Sequence, residues 1–418
     1  MTYFPKTQIV PQDGPSVDAF HRLRVSDNVR QFSAMSEYLD NPLIWENATS
    51  GAGTVVYQAN QCAVRLSTGG TTNGASAIRQ TRRYMRYMPG KSLVISQTFV
   101  MSAAQSSAVA EIGYYDGDNN GIFLQRSGTT VNFILRSFTS GAAVDTTIAQ
   151  ASWNLDEMDG TGPSGITLDL AKTQILVIDL QFLGVGRVRV GFDLGDKGIV
   201  YVHQFLNANI NTAAYMSTAC LPIRGRVYNI GTAGGTVTLD MICSSVSNEG
   251  GVGPGQDSEG IIQLSASNGA TLRATSTTFI PIFSIRAATK IGGTAAGTTT
   301  NRGQIIPCSS SMYTTADSYY EIWLNATLTG PSWVAMGSNS LCEYDVSATV
   351  LTTGSAYKID SGYLSALNKS EPITLENFIN FPLVYTGLNS NQDILTVSIR
   401  TISGGGTAGA TVDWIERY

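Results

Sequence analysis

The chain has 418 residues, 26 Lys plus Arg against 31 Asp plus Glu, a formal net charge of −5, and only 14% charged residues. A typical soluble protein carries about 25%, so hydroxyls and amides are expected to solvate this surface, and an acidic chain lacks the electrostatic footprint that wraps nucleic acid. Five widely spaced cysteines (Cys62, Cys220, Cys243, Cys308, Cys342) and two histidines argue against a disulfide framework or a zinc site, and no apolar run is long enough to insert in a membrane.

Residues 1–50 read as an extended N-terminal arm. Pro5, Pro11, Pro15 and Pro42 interrupt it, its apolar residues keep no period, and only a short helix over 17–24, capped by Ser16, is suggested. From Gly51 the pattern turns to β, with strands predicted within 54–66 and over 91–101, 111–115, 122–126 and 131–137. Residues 152–205 carry the densest strand signal, concentrated from Gln174 onward. Leu176, Ile178, Leu180 and Phe182 alternate with positions that turn polar at Asp179 and Gln181, and two more strands follow after Gly184–Gly186 and Asp196–Gly198. Strands over 224–230 and 237–246 complete a first domain at 51–246. The Gly-rich run SNEGGVGPGQDSEG makes 247–260 a linker, and 261–418 reads as a second β-domain. The fold expected is all-β: two β-sandwich or jelly-roll-like domains behind the arm. TAGGTVTLDMI (232–242) and TAGATVDWI (407–415) raise the idea of duplication without supporting a repeat array.

Motifs for chemistry fail at required positions. Gly90-Lys91-Ser92 lacks the first P-loop glycine, Gly162-Pro163-Ser164-Gly165 lacks the last glycine of a nucleophile elbow, and Gly184-Val185-Gly186 joins two strands. Asp116, Asp118, Asn120 and Gly121 match half a calcium loop but equally a hairpin turn, and Ser127 stands where the bidentate glutamate belongs. Trp153 beside Asp156, Glu157 and Asp159 supplies raw material for a sugar cleft, without showing two carboxylates that face one another. Arg79, Arg82, Arg83 and Arg86 interleave with Tyr84 and Tyr87, a composition suited to a protein interface. Those six residues, with Trp153, Asp156 and Asp159, are the candidate interface. No catalytic residue, cofactor or metal is expected, and the chain is read as a non-enzyme.

Several segments resemble a family of tailed-bacteriophage virion structural proteins. They are DAFHRLRVSDNVRQF (18–32), RQTRRYMRYMPGKSLVISQTF (79–99), IGYYDGDNNGIFL (112–124), the long run SWNLDEMDGTGPSGITLDLAKTQILVIDLQFLGVGRVRVGF beginning at Ser152, YVHQFLNAN (201–209) and YMSTACLPIR (215–224). The resemblance implies a component of the phage particle and brings no catalytic residues. The expectation is a tail, collar or baseplate-region protein made in the host cytoplasm. It would act through contacts with copies of itself, a trimer being favoured, and with other virion proteins, without nucleic acid. A capsid decoration or head-fibre protein, and a receptor- or polysaccharide-binding module contacting a host surface glycan, are the alternatives.

Overall fold

The computed structural model describes residues 14, 16–19, 22–24, 28–117, 119–250, 262–269, 271–366, 373–375 and 382–418. The chain divides into two compact units, 1–251 and 252–418. Both are built from antiparallel strands, with no α-helix among the described residues.

The first unit contains fifteen strands. They are β1 (Asn28–Met35), β2 (Trp45–Ser50), β3 (Thr54–Gln58), β4 (Ala63–Ser67), β5 (Ser76–Thr81), β6 (Leu93–Met101), β7 (Ala108–Tyr115) and β8 (Gly121–Ser127). After these come β9 (Thr130–Ser137), β10 (Val144–Ala149), β11 (Gln174–Leu180), β12 (Val188–Asp193), β13 (Ile199–Phe205), β14 (Ile223–Asn229) and β15 (Thr238–Glu249). One sheet has eight strands, in the order β13-β12-β11-β6-β15-β4-β3 with β1 also on β15, and the other has seven, in the order β10-β9-β8-β7-β14-β5-β2. One apolar core joins them. Ile95, Phe99, Leu176, Ile178, Val190 and Phe192 come from the first sheet, and Ile112, Tyr114, Ile122, Leu124, Phe133 and Val227 from the second. The period of two explains this layout: on β6, Leu93, Ile95, Gln97, Phe99 and Met101 are buried while the residues between them are half-buried.

The first fifty residues differ from the arm expected. Residues 28–35 and 45–50 are β1 and β2, one in each sheet. The helix expected over 17–24 is instead a tight antiparallel turn, in which Val17 bridges Leu23, Arg24 N donates to Ser16 O (2.9 Å) and Asp18 N donates to Arg22 O (2.8 Å). Ion pairs overrode the weak helical pattern. Asp179 on β11 is fully buried, and its Oδ2 accepts from Arg189 (2.6 Å), Arg24 (2.5 Å) and the Tyr201 hydroxyl (2.9 Å), while Oδ1 accepts from Ser92 (2.7 Å). Arg189, equally buried, also donates to Val17 O (2.5 Å). The polar side of β11 is therefore not a solvent face; it is the seat on which Gly14, Val17 and Arg24 are held.

The second unit comprises β16 (Ile262–Ser267), β17 (Arg273–Thr275), β18 (Ile280–Ala287), β19 (Gln304–Thr314), β20 (Ser318–Leu324), β21 (Thr327–Thr329) and β22 (Val334–Ala335). The remaining strands are β23 (Cys342–Asp345), β24 (Val350–Thr352), β25 (Tyr357–Leu364), β26 (Ile373–Thr374), β27 (Ile394–Thr401) and β28 (Gly406–Arg417). Five strands (β16-β28-β19-β26, with β17 on β28) form one sheet and six (β22-β23-β18-β27-β20-β25) another, beside the β21–β24 pair. Ile285, Ile322, Val397 and Trp414 are among its buried residues. Buried Glu416 on β28 accepts from Ser340 Oγ (2.6 Å) and Leu341 N (2.9 Å), which ties the loop before β23 to β28.

Two outcomes follow from the pinned turn. Removing one partner from a buried ion pair leaves the others uncompensated, so Asp179→Asn is expected to lower the unfolding free energy of the first unit by about 3–5 kcal/mol in chemical denaturation; a loss under about 1 kcal/mol would show that the network contributes little. Glu249 lies 3.2 Å from Arg24, and burial, together with Asp18 and Asp179 nearby, raises its carboxyl to about 7. A raised folded-state value means that its contribution is present below the unfolded value of 4.5 and is lost as pH climbs through about 7. Asp18, lowered by its hydrogen bonds from Arg22 against the opposing effect of burial, acts oppositely but only as pH falls toward the ordinary carboxylate range. Limited proteolysis within residues 14–24 should accordingly be faster at pH 8 than at pH 5.5, and Glu249→Gln should flatten the difference.

Candidate functional site

The residues singled out from the sequence fall in three places. Arg79 points inward, 1% exposed, with its guanidinium 4.6 Å from the centre of the Trp45 ring and hydrogen-bonded to Asn47 Oδ1 (3.1 Å) and Asp40 O (2.7 Å) as well as ion-paired with the Asp40 carboxylate. Arg83 donates to Gln31 O and lies 5.4 Å from the Phe32 ring centre. Arg86 O accepts from Gln31 Nε2 (2.9 Å). Arg82 is half-buried, and Tyr84 and Tyr87 are buried, the Tyr87 hydroxyl accepting from the backbone of Phe182 (3.1 Å) and Leu183 (3.3 Å). In the chain as described, this stretch works mainly inward, fastening β1 and the turn after β11.

Trp153 is buried against Phe133 (5.0 Å) and Phe192 (6.5 Å) as part of the core. Asp156 is buried too, accepting from Met158 N (2.8 Å) and Ser164 N (2.7 Å); a side chain at Gly162 would collide with its carboxylate, which is why glycine stands there. Asp159 is exposed, and its hydrogen bonds from Thr161 hold its carboxyl below the usual range. Asp156 and Asp159 therefore shape their own loop. The hairpin at 116–121 is closed by Asp116 Oδ1 accepting from Asn120 N (2.8 Å), and the Asn120 side chain links it to Ser217 and Phe138; Asp118 lies outside the described residues. Among the described residues no group of three or more His, Cys, Asp or Glu could hold a metal. His203 accepts from Asn154 N (3.2 Å), and burial pushes its imidazole down to about 4, so it stays neutral.

A different set of residues converges on one surface. Directly opposed residues in antiparallel strands share a face, and the register of the seven-stranded sheet places two long rows on its outward side. One row runs Thr147, Ile134, Phe123, Gly113, Arg224, Gln80, Glu46; the next runs Ala149, Asn132, Gln125, Glu111, Arg226, Ile78, Ala48. Residues Arg224, Arg226 and Tyr228 of β14 stand side by side in successive rows, because Gly225 and Val227 between them turn inward. Gly225 packs closely against the core there: a Cβ would lie 2.5 Å from Met241 Sδ, which would have to shift.

On this same side Tyr115, Phe123 and Ile134 form a small buried apolar cluster separate from the main core, with the two rings stacked at 4.4 Å. Arg136 lies over Phe123 (5.2 Å) and Arg224 over Tyr115 (5.5 Å), while Arg226 lies over Tyr228 (4.0 Å). Polar groups connect across the strands. Gln125 Nε2 donates to Glu111 Oε1 (2.9 Å), the Tyr228 hydroxyl donates to the same oxygen (3.0 Å), and Arg224 Nη1 donates to Gln80 Oε1 (2.7 Å). Burial first, and the Glu111 charge second, raise the Tyr115 and Tyr228 hydroxyls, so both remain protonated donors.

The face does not offer a glycosidase pair. Glu46 and Glu111 are three strand steps apart, about 14 Å at the usual inter-strand spacing, and Glu111 is equally three steps from Asp145 on β10. Acid–base hydrolysis of a glycosidic bond needs carboxyl groups about 5–9.5 Å apart. What these rows can do is present hydrogen-bond donors and acceptors in fixed positions on a rigid sheet. The signal was present in IRGRVYN (223–229), where arginine, arginine and tyrosine recur at every second residue.

No family model and no curated protein matches this chain. Solved structures with partial similarity include the VIP36 exoplasmic/lumenal domain in its Ca2+/Man3GlcNAc-bound form, at 14% identity over 53% of this chain and 89% of that one, with a TM-score of 0.32. A carbohydrate esterase from Shiga toxin-encoding bacteriophage phi24B aligns at 13% identity over 53% of this chain and 99% of its own, with a TM-score of 0.30. The CBM2 module of the evolved Dit of Lactobacillus casei BL23 phage J-1 aligns at 10% identity over 55% and 99%, with a TM-score of 0.33. No residue role is carried over from them.

Proposed function

We propose that this chain is a structural component of a tailed-phage virion, in the tail, collar or baseplate region, that binds a surface polysaccharide without cleaving it. The segments resembling phage structural proteins support its place on the particle. One observation supports the binding: two rows on the side of the seven-stranded sheet away from the main core bring Gln80, Glu111, Gln125, Asn132, Arg224 and Arg226 into register, with Gln125 and Arg226 partly exposed and the other four buried beneath them. Amides, carboxylates and guanidiniums on a rigid surface match the paired hydroxyls of successive sugars, and a sheet aligns them over the length of several residues of a polymer.

Affinity electrophoresis through gels containing the host's purified surface polysaccharide tests the binding. The wild-type chain is expected to be retarded, and Gln125→Ala, which removes about one hydrogen bond on the order of 1 kcal/mol, to be retarded several-fold less. Equal mobility with and without polymer would refute the binding, and absence of the chain from purified particles by immunogold labelling would refute the virion assignment.

A further inference from the structure

Strand β10 leaves an open edge on the seven-stranded sheet: it stands last in the order and pairs only with β9. Its sequence VDTTIA holds no lysine or proline, its register with β9 runs unbroken from Val144↔Ser137 to Ala149↔Asn132, and residues 144–147 are exposed. Beyond that ladder no backbone group of residues 144–149 is hydrogen-bonded among the described residues, so every second residue turns its N–H and C=O to the solvent. Sheet edges are normally blunted by lysine, proline, a bulge or a covering loop. The edge of the eight-stranded sheet at β13 has such a loop: Val202 O accepts from Leu155 N (3.0 Å) and Asp156 N (3.1 Å), and Gln204 N donates to Asn154 Oδ1 (2.9 Å). Strand β10 has no such device among the described residues. Beside it runs a cleft of about 380 Å³ whose lining includes Leu135, Val144, Thr146, Ile210 and Tyr215. Both rims are apolar and reachable, Val144 being 55% and Ile210 66% exposed, and a strand added to β10 would cover them.

We propose that this strand is β10 of a second copy of the chain, paired antiparallel about a two-fold axis through Thr146. Val144, Thr146 and Ile148 point to the cleft side, because they stand opposite Ser137, Leu135 and Phe133, the last two of which belong to the core. Directly opposed residues in an antiparallel pair share a face, so a two-fold can join only like faces of the two strands. Centring it on Thr146 sets Val144 against the partner's Ile148 and, by symmetry, Ile148 against the partner's Val144. Thr146 then meets the partner's Thr146, and Asp145 the partner's Thr147. Aliphatic and threonine pairs of this kind are favourable cross-strand neighbours. Charge does not oppose the contact: Asp145 is the only charged residue of β10, and Arg136 of its own chain chelates it with Nε at 2.7 Å and Nη2 at 2.8 Å. The edge complements itself in this register, so one sequence supplies both halves of the contact, and the pair is closed because each open edge covers the other. The contact is independent of sugar binding, and its test reads mass instead of polymer.

Sedimentation equilibrium of the full chain tests the contact. A strand pair of 6 residues with one cleft rim is a small interface, so a dimer of twice the 44.5 kDa chain mass is expected, with a dissociation constant on the order of 10 μM. Val144→Lys, which puts a charge on the open edge at an exposed position, should weaken association at least about tenfold and leave the unfolding midpoint unchanged. Under mild oxidation Thr146→Cys should form a covalent dimer, because the two copies of that position face each other. Thr147→Cys should not, since it faces the partner's Asp145 and its own counterpart lies beyond the reach of a disulfide. A chain still monomeric at a concentration about tenfold above the expected constant, a trimer, or a dimer untouched by Val144→Lys overturns the proposal. Cross-linking of Thr147→Cys equal to or greater than that of Thr146→Cys overturns it as well.

Discussion

Register is the constraint on which the first unit depends. Once Leu135, Ile122, Tyr114 and Ile223 are paired across four strands with their side chains in the core, every neighbouring residue is committed to the other side. A slip of one residue on β14 would put Arg224 and Arg226 into the core and Gly225 and Val227 outside. Gly225 packs directly against the Met241 side chain, so a residue with a Cβ brought there by a slip would have to displace the Met241 sulfur. The proposed binding face is thus a by-product of the core: the same alternation that fills the sandwich lines up amides, carboxylates and guanidiniums in rows.

Buried charge sets the second constraint. Asp179 and Arg189 are both fully buried, and a lone charge in that position would be strongly penalised. They are tolerable because Arg24, Tyr201, Ser92 and the Val17 carbonyl complete their hydrogen bonding. Replacing such a cluster with apolar side chains is often neutral for stability. Here it fixes Gly14, Val17 and Arg24 against Asp179 and Arg189. The raised carboxyl of Glu249 at the end of β15 makes that docking respond to pH near neutrality.

The all-β class and many of the strands were legible from alternation. Strands β6, β8, β9, β11 and β13 stand within a few residues of their expected places, β6 through its strict alternation and the others through short apolar runs bounded by turn residues. Strands β1 and β2 were hidden among prolines and irregular apolar residues, and they form because partners two hundred residues away in one case, and some thirty in the other, complete their pairing. The same non-locality explains the candidate residues. Arginine and tyrosine at 79–87 have an interface composition, yet Arg79 meets Trp45 and Asp40, and Tyr87 meets Phe182, so most of their chemistry faces inward. Conversely, nothing in IRGRVYN indicates that Glu111 and Gln80 will flank it, since neighbouring strands in a sheet need not be neighbours in sequence.

The most direct test of the account is hydroxyl-radical footprinting of the chain with and without the host's purified surface polysaccharide. Tyr228 is half-buried on the proposed face, whereas Tyr38 (78% exposed) and Tyr363 (77% exposed) lie elsewhere and serve as references. The account predicts that polymer lowers the oxidation rate of Tyr228 and leaves Tyr38 and Tyr363 unchanged. Unchanged oxidation of Tyr228 under conditions where polymer is bound would place the ligand on another surface and contradict the assignment of this face.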